Sequence, residues 1–293
     1  MLGVESDAKT VKGSAYGYLT GIMYLAPHKL SGVINTCVMA SAGCIASCLF
    51  TAGRAAYTPT IRAARIAKTL LLVKNQLAAL SYLAYDIHAL RDRAANSGYC
   101  PTCEETQRRR KGSDGKCSAC GGALDVLKPA VRINGTSDMP MIARLMARLF
   151  PDVEFYDYTK LPKAWLRTLP NYHITFSHSE TNLADCLEAL AHGINVAVVF
   201  GIKPGKPFPE TWNGYRVVSG DDTDLRFTDP KGSIGVVIGL YAKGQAKKDC
   251  SGFVVRPTSD LIQIAPNADA LPRGIARSAR ASGRTVHDLV QIA

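Results

Sequence analysis

No apolar run in this chain of 293 residues approaches the about 20 residues that cross a bilayer. The most apolar early stretch, Val33 to Phe50, carries three cysteines and falls short of a span. The opening MLGVESDAKTVKG is too polar for a secretory signal, so the expectation is a cytoplasmic protein without a membrane partner. Acid is scarce: 24 Asp and Glu stand against 35 Lys and Arg, a net charge of +11. That excess is spread in patches, which suits a face that contacts a polyanion, with nucleic acid the expected partner. Charged residues are 20% and hydrophobic residues 47% of the chain, a balance that excludes wholesale disorder and leaves room for a large core.

Against that background the cysteines stand out. NTCVMASAGCIASCLFTAGR, residues 35–54, sets Cys37, Cys44 and Cys48 within twelve positions. In a reducing compartment such a group reads as thiolate ligands of one metal centre rather than a disulfide framework. Three thiolates leave the fourth position of a tetrahedral site open, and the soft ligands suit an iron–sulfur cluster or zinc. The alternative is a set of buried thiols among small residues that favour close packing.

The second group is more specific. YCPTCEETQRRRKGSDGKCSACGG carries Cys100, Cys103, Cys117 and Cys120 as two C-x-x-C pairs thirteen residues apart. Two such knuckles complete a closed four-thiolate site, expected to be a structural zinc ribbon. Its intervening loop holds Arg108, Arg109, Arg110, Lys111 and Lys116, a basic tip suited to a phosphate backbone or a protein partner.

Around the ribbon the chain divides into 1–97, which holds the first cysteine group, the ribbon at 98–124, the remainder at 125–256, and a basic tail at 257–293 with Arg273, Arg277, Arg280 and Arg284. Thr58-Pro59 opens a long helical pattern to Leu90, with basic residues near its start that ask for an anionic neighbour. From Ala130 strands and helices alternate. Strands are expected at 130–133, 153–156, 173–177, 196–200, 217–218 and 234–240, and helices at 139–150, 164–169 and 182–192. Ser137-Asp138 reads as the N-cap of the first of these helices. The rhythm predicts an α/β fold, a partial (β/α) barrel or an open parallel sheet with an inserted zinc ribbon.

In such folds function gathers at the C-terminal strand ends. Those ends carry Asn134, Gly135, Thr136, Ser137 and Asp138, then Asp157, Tyr158 and Lys160, then Ser177, His178, Ser179 and Glu180. Of these, Asn134, Gly135, Asp138, Lys160, Ser179 and Glu180 are the candidates for binding cofactor or substrate. Asp221, Asp222 and Asp224 form a third, weaker candidate for a metal-assisted hydrolase, since no histidine accompanies them. Cys186 is expected in the core. Cys250 is a surface thiol or a distant fourth ligand.

The run C-x6-C-x3-C-L-x-T-A-G-R, followed by V-R-I-N-G-T-S-D, F-Y-D-Y-T-K, I-T-F-S-H-S-E and D-L-R-F-x-D-P, resembles the bacteriophage gene product eighty-eight domain family over roughly residues 14 to 256, the ribbon apart. That resemblance implies a phage protein and a host-cell cytoplasm. A weaker one is to radical S-adenosylmethionine enzymes, which hold a [4Fe-4S] cluster on three cysteines after the first strand of a partial barrel. It implies Cys37, Cys44 and Cys48 as cluster ligands and Gly135 to Asp138 as the place of the cofactor's amino group, although C-x6-C-x3-C departs from the usual C-x3-C-x2-C. The expectation is an iron–sulfur enzyme acting on S-adenosylmethionine and a nucleic-acid or nucleotide-derived substrate. Its alternative is a non-catalytic zinc-ribbon protein that binds nucleic acid.

Overall fold

The computed structural model describes residues 1–5, 8–109 and 115–256. Arg110, Lys111 and the tail from 257 onward lie outside the described residues. The chain runs β1 (Leu2–Val4), α1 (Ala8–Ser14), β2 (Tyr18–Met23), α2 (Ala42–Ala46), α3 (Pro59–Lys74), α4 (Gln76–Ala95), β3 (Ser97–Cys100), β4 (Glu105–Arg108), β5 (Asp125–Val126) and β6 (Lys128–Arg132). It continues through α5 (Pro140–Leu149), β7 (Glu154–Thr159), β8 (Tyr172–Ser177), α6 (Leu183–Ala191), β9 (Val196–Phe200), β10 (Thr211–Trp212), β11 (Tyr215–Ser219), β12 (Val237–Tyr241) and β13 (Val254–Val255).

One large sheet of order β1-β2-β6-β7-β8-β9-β12-β11-β10 organises the molecule. All neighbours from β2 to β11 are parallel, and only the edge strands β1 and β10 pair antiparallel. The sheet does not close into a barrel. From β2 to β9 each new parallel strand is laid beside the previous one, so right-handed crossovers put the connecting helices on one face. There α4 and α5 pack Leu83, Ile87, Leu90, Ile142 and Met146 onto Leu19, Val131 and Phe155. The helical stripes have the spacing this demands: Ala79, Leu83, Ile87, Leu90 and Ala94 are the buried residues of α4. A run such as VAVVF in β9 belongs to a strand covered on both sides.

The helical stretch expected after Thr58, as one long helix or two with a kink, is two. Asn75 leaves helical geometry at φ −146° and ψ 79°; its N–H closes α3 on the Leu71 carbonyl and its side chain caps α4 at the Ala78 N–H, 3.0 Å. The expected cap at Ser137-Asp138 is corrected as well. Met139 occupies the N-cap of α5 without a side-chain bond, and Pro140 pre-sets the first turn. The strand expected at 234–240 is β12, displaced to Val237–Tyr241.

The opposite face of the sheet, which carries α1 beside Thr20, is filled over its lower half by the segment between β11 and β12. Leu225 packs with Ala130 and Tyr156, while Phe227 stacks edge-on with Tyr18 at 4.9 Å and Tyr156 at 5.5 Å. The D-L-R-F motif is therefore a plug, and the space above it stays open. A second feature shapes that space. β8 pairs with β9 only at Phe176 and Ser177, after which β13 takes its place beside Val199 and Phe200. The two central strands thus part at their C-terminal ends. A separate three-stranded sheet, β4-β3-β5, carries the ribbon.

Candidate metal centres and the cavity between the strand ends

The ribbon brings four sulfurs together. Cys100, Cys103, Cys117 and Cys120 place one sulfur each within 4.8 Å of the others, the only such group found among the described residues. The closest pairs are Cys100 to Cys120 at 3.5 Å and Cys103 to Cys117 at 3.8 Å. That is about the 3.8 Å edge of a tetrahedron with 2.3 Å metal–sulfur bonds. N–H groups already face the sulfurs: Gln107 Nε2 donates to Cys117 at 3.0 Å and the Ala119 backbone at 3.4 Å. Backbone N–H groups of Cys120 and Ala119 pull the Cys117 thiol down to about 6. The cluster can bind a metal ion, and its geometry leaves no open position.

The other three cysteines are arranged differently. The loop after β2 carries them to the top of the sheet, where Cys37, Cys44 and Cys48 all line one cavity of about 340 Å³. They are free thiols. Burial pushes Cys48 up to about 11 and raises Cys37, and the neighbouring cysteines add to both shifts. They are thus near one another but wider apart than a single ion's ligands.

The loop is fixed by specific bonds. Asn35 Oδ1 accepts the Cys37 N–H at 3.0 Å, as a turn residue should, and the His28 N–H points at Cys37 Sγ, 3.4 Å away. Thr36 donates to the Ala26 carbonyl at 2.7 Å, and the Asp138 N–H donates to the Thr36 carbonyl at 2.8 Å. Further along, Ser41 caps α2 at the Cys44 N–H, 3.2 Å, and Glu180 takes both the Ser41 hydroxyl at 2.6 Å and the Gly43 N–H at 2.7 Å. Arg65, one of the basic residues early in α3, lies over the rings of Tyr24 at 4.7 Å and Phe50 at 5.3 Å and favours the Cys48 thiolate. Aromatic faces thus pack on this cation, while Lys68, another of those basic residues, lies by the Asp86 carboxylate.

Against the thiol loop stands the turn that ends β6. The Gly135 N–H donates to the Met23 carbonyl at 3.0 Å, and a Cβ at Gly135 would lie 2.6 Å from the Tyr24 ring, so only glycine lets the two loops meet. Asn134 is spent internally: its N–H and Nδ2 donate to Asp157 at 2.7 and 2.9 Å, and its Oδ1 accepts from Ser137 and Met139. Asp157, fully buried, is pushed up to about 7 by that burial, with the Asn134 bonds opposing. Partial burial also raises Asp138, whose oxygens accept the Thr159 hydroxyl at 2.6 Å and the Lys160 N–H at 2.8 Å.

Of the six residues expected to bind cofactor or substrate, Asn134, Gly135, Asp138 and Lys160 line the cavity with the thiols. Ser179 and Glu180 do not line it. Ser179 is held at the start of α6 by Asn182 Oδ1, and Glu180 is turned to the cysteine loop. Lys160 offers its ammonium inward, 5.6 Å from the Phe253 ring centre.

Three cavity residues outside the six expected to bind cofactor or substrate also carry chemistry. His178 is buried, with Nδ1 lacking a partner among the described residues and its ring edge-on to Trp212 at 5.2 Å. Burial, and then the Lys160 charge, drop it to about 4, so it is neutral at pH 7. The floor is an ion pair, Arg132 to Asp224 at 2.9 Å, with Arg132 also 4.5 Å from the Tyr158 ring centre. Burial works against the guanidinium charge and Asp224 outweighs it. Lone polar residues at strand ends give little advance signal, and only the packing sets these three apart. Asp221 lines the same cavity, where it accepts the Tyr241 N–H at 2.7 Å and pairs with Lys243, and the acidic trio does not gather as a set of metal ligands among the described residues. Cys186 is buried in the core and Cys250 is exposed.

A family model described as Gene product 88 matches residues 2–257. No curated protein and no solved structure matches the chain.

Proposed function

The chain belongs to the gene product 88 family, and from that membership and the geometry above we propose that it is a phage iron–sulfur enzyme of the radical S-adenosylmethionine kind, acting on nucleic acid or a nucleotide-derived substrate in the host cytoplasm. One observation carries the reading. The thiol loop follows the first parallel strand, the Gly135 to Asp138 turn ends the second, and both face one cavity at the C-terminal strand ends. A cluster bound by Cys37, Cys44 and Cys48 would supply an open iron for the amino and carboxylate groups of S-adenosylmethionine and an electron to split its sulfonium bond.

The chain's own groups have separable tasks. Lys160 offers a cation to a carboxylate or phosphate, the Gly135 turn lets a ligand approach backbone, and His178 stays neutral as a hydrogen-bond partner. Burial by Phe253 and Leu240 keeps water from the reacting centre. Lys243 lines the cavity and belongs to an exposed basic segment with Lys247 and Lys248 that suits an anionic substrate. The test is anaerobic purification with iron, sulfide and zinc analysis, followed by equilibrium dialysis with S-adenosylmethionine. Iron and cofactor binding, both lost in Cys44→Ala while zinc stays, is the expected result. A reconstituted protein without iron that ignores the cofactor ends this reading.

The closed sulfur tetrahedron favours a second one. A non-catalytic protein would hold structural zinc in the 98–124 ribbon and grip nucleic acid, or a protein partner, through the basic tip. It predicts nucleic-acid affinity that falls steeply with salt, survives Cys37→Ala and drops when Arg108 to Lys111 are neutralised. Unchanged affinity after that neutralisation counts against it.

A further inference from the structure

Glu180 sits three residues past the end of β8, where a cavity ligand would be expected, yet both its carboxylate oxygens are taken by the cysteine loop. Oε2 accepts the Ser41 hydroxyl at 2.6 Å and Oε1 the Gly43 N–H at 2.7 Å. The same Ser41 oxygen accepts the Cys44 N–H at 3.2 Å. A continuous path therefore runs from the end of a core strand through Glu180 and Ser41 to the backbone of Cys44.

The surroundings tighten this path. Gly43 is buried, and a Cβ there would lie 2.1 Å from Ser251 Oγ, 2.8 Å from Phe253 Cβ and 2.9 Å from Glu180 Oε1. The turn is thus pressed by the 249–253 loop on the same side that meets Glu180. That loop is itself stiff: Asp249 accepts the Ser251 hydroxyl at 2.7 Å and the Val254 N–H at 3.0 Å. α2 is only five residues long and has little stability of its own. Its place is set by what grips it.

We propose that Glu180 is a positioning residue, which fixes Cys44 at the cavity wall in the orientation metal binding requires, rather than a ligand of cofactor or substrate. The metal part rests on the iron–sulfur reading above; the pinning itself does not. Outer partners of this kind orient metal ligands, and their loss costs about 10–100-fold in metal affinity.

The experiment uses the full chain with Glu180→Ala, Glu180→Gln and Ser41→Ala, folding of each being checked by retention of ribbon zinc. In metal-free protein the alkylation rate of Cys44 is read by peptide mass spectrometry. In anaerobically reconstituted protein, iron retention against a chelator and the midpoint potential are read. Faster Cys44 alkylation and about 10–100-fold weaker iron retention are expected for Glu180→Ala, with a smaller effect for Ser41→Ala. Glu180→Gln keeps the shape and removes a negative charge, so it should hold iron but shift the potential upward. Wild-type alkylation rates in Glu180→Ala, or in Ser41→Ala should the Glu180 alanine variant not fold, overturn the proposal. A wild-type protein that takes no iron, while Glu180→Ala still exposes Cys44, leaves the pinning intact and removes the iron–sulfur reading instead.

Discussion

The two cysteine groups of this chain share an element and almost nothing else. The ribbon sulfurs converge from two short knuckles onto one point, with N–H groups already aimed at them. The other three thiols stand around an opening, one wall of a cavity whose remaining walls come from five parallel strands and a distant loop. Local sequence suffices to build the first. The second exists only once the sheet is assembled, and it leaves a face uncovered. A closed set of ligands serves folding, and an open one serves chemistry.

The sharpest way to test the contrast is to empty one group and watch the other. Cys117→Ala should abolish metal in the ribbon, where structural zinc sites contribute about 10–16 kcal/mol of binding. Protease should then cut within 98–124, while Cys44 reactivity stays as in wild type. Loss of both sites together would show that they are coupled and break the comparison.

The cavity floor should be next in magnitude. Asp224→Ala leaves the buried Arg132 charge unpaired, a change that costs about 3–5 kcal/mol. Chemical denaturation should report that loss with the metal content of the ribbon unaffected. Gly135→Ala forces a methyl group against the Tyr24 ring and should cost about 1–3 kcal/mol, with the thiol loop displaced and Cys37 more reactive. An unperturbed Gly135→Ala protein would mean that the two loops are not tightly joined.

The smallest effect concerns pH. His178 is held at about 4 in the folded protein against 6.5 when unfolded, so the unfolded chain takes up a proton first as pH falls. Its contribution is complete above pH 6.5 and is lost as pH drops toward 4, up to about 2 kcal/mol between pH 7 and 5. His178→Gln should flatten that part of the stability profile. An unchanged slope would place the histidine in water.

Much of this architecture is written locally. The C-x-x-C pairs announce the ribbon sulfurs because each knuckle is a few residues long, and VAVVF with its flanks announces β9. The strand-end placement of Asn134, Gly135, Asp138 and Lys160 follows from the same rhythm. What escaped depends on distant partners. Glu180 reads as a rim residue until its carboxylate is seen to face Ser41, more than a hundred positions away. Asp138 reads as a cap, yet its oxygens bind Thr159 and Lys160. β13 has two residues, too few for any periodicity, and its role comes from the gap that β8 leaves beside β9.

That strand also sets a schedule. The thiols enter the growing chain at Cys37, but Phe253, which packs against Cys44 and lines the cavity, and β13 next to it are added about 200 residues later. At the usual pace of bacterial translation, 5–20 residues per second, this interval is roughly 10–40 s. Throughout it the three sulfurs lack that part of their wall, so any reagent that reaches them meets either a nascent chain with wider access or a finished one through the mouth alone.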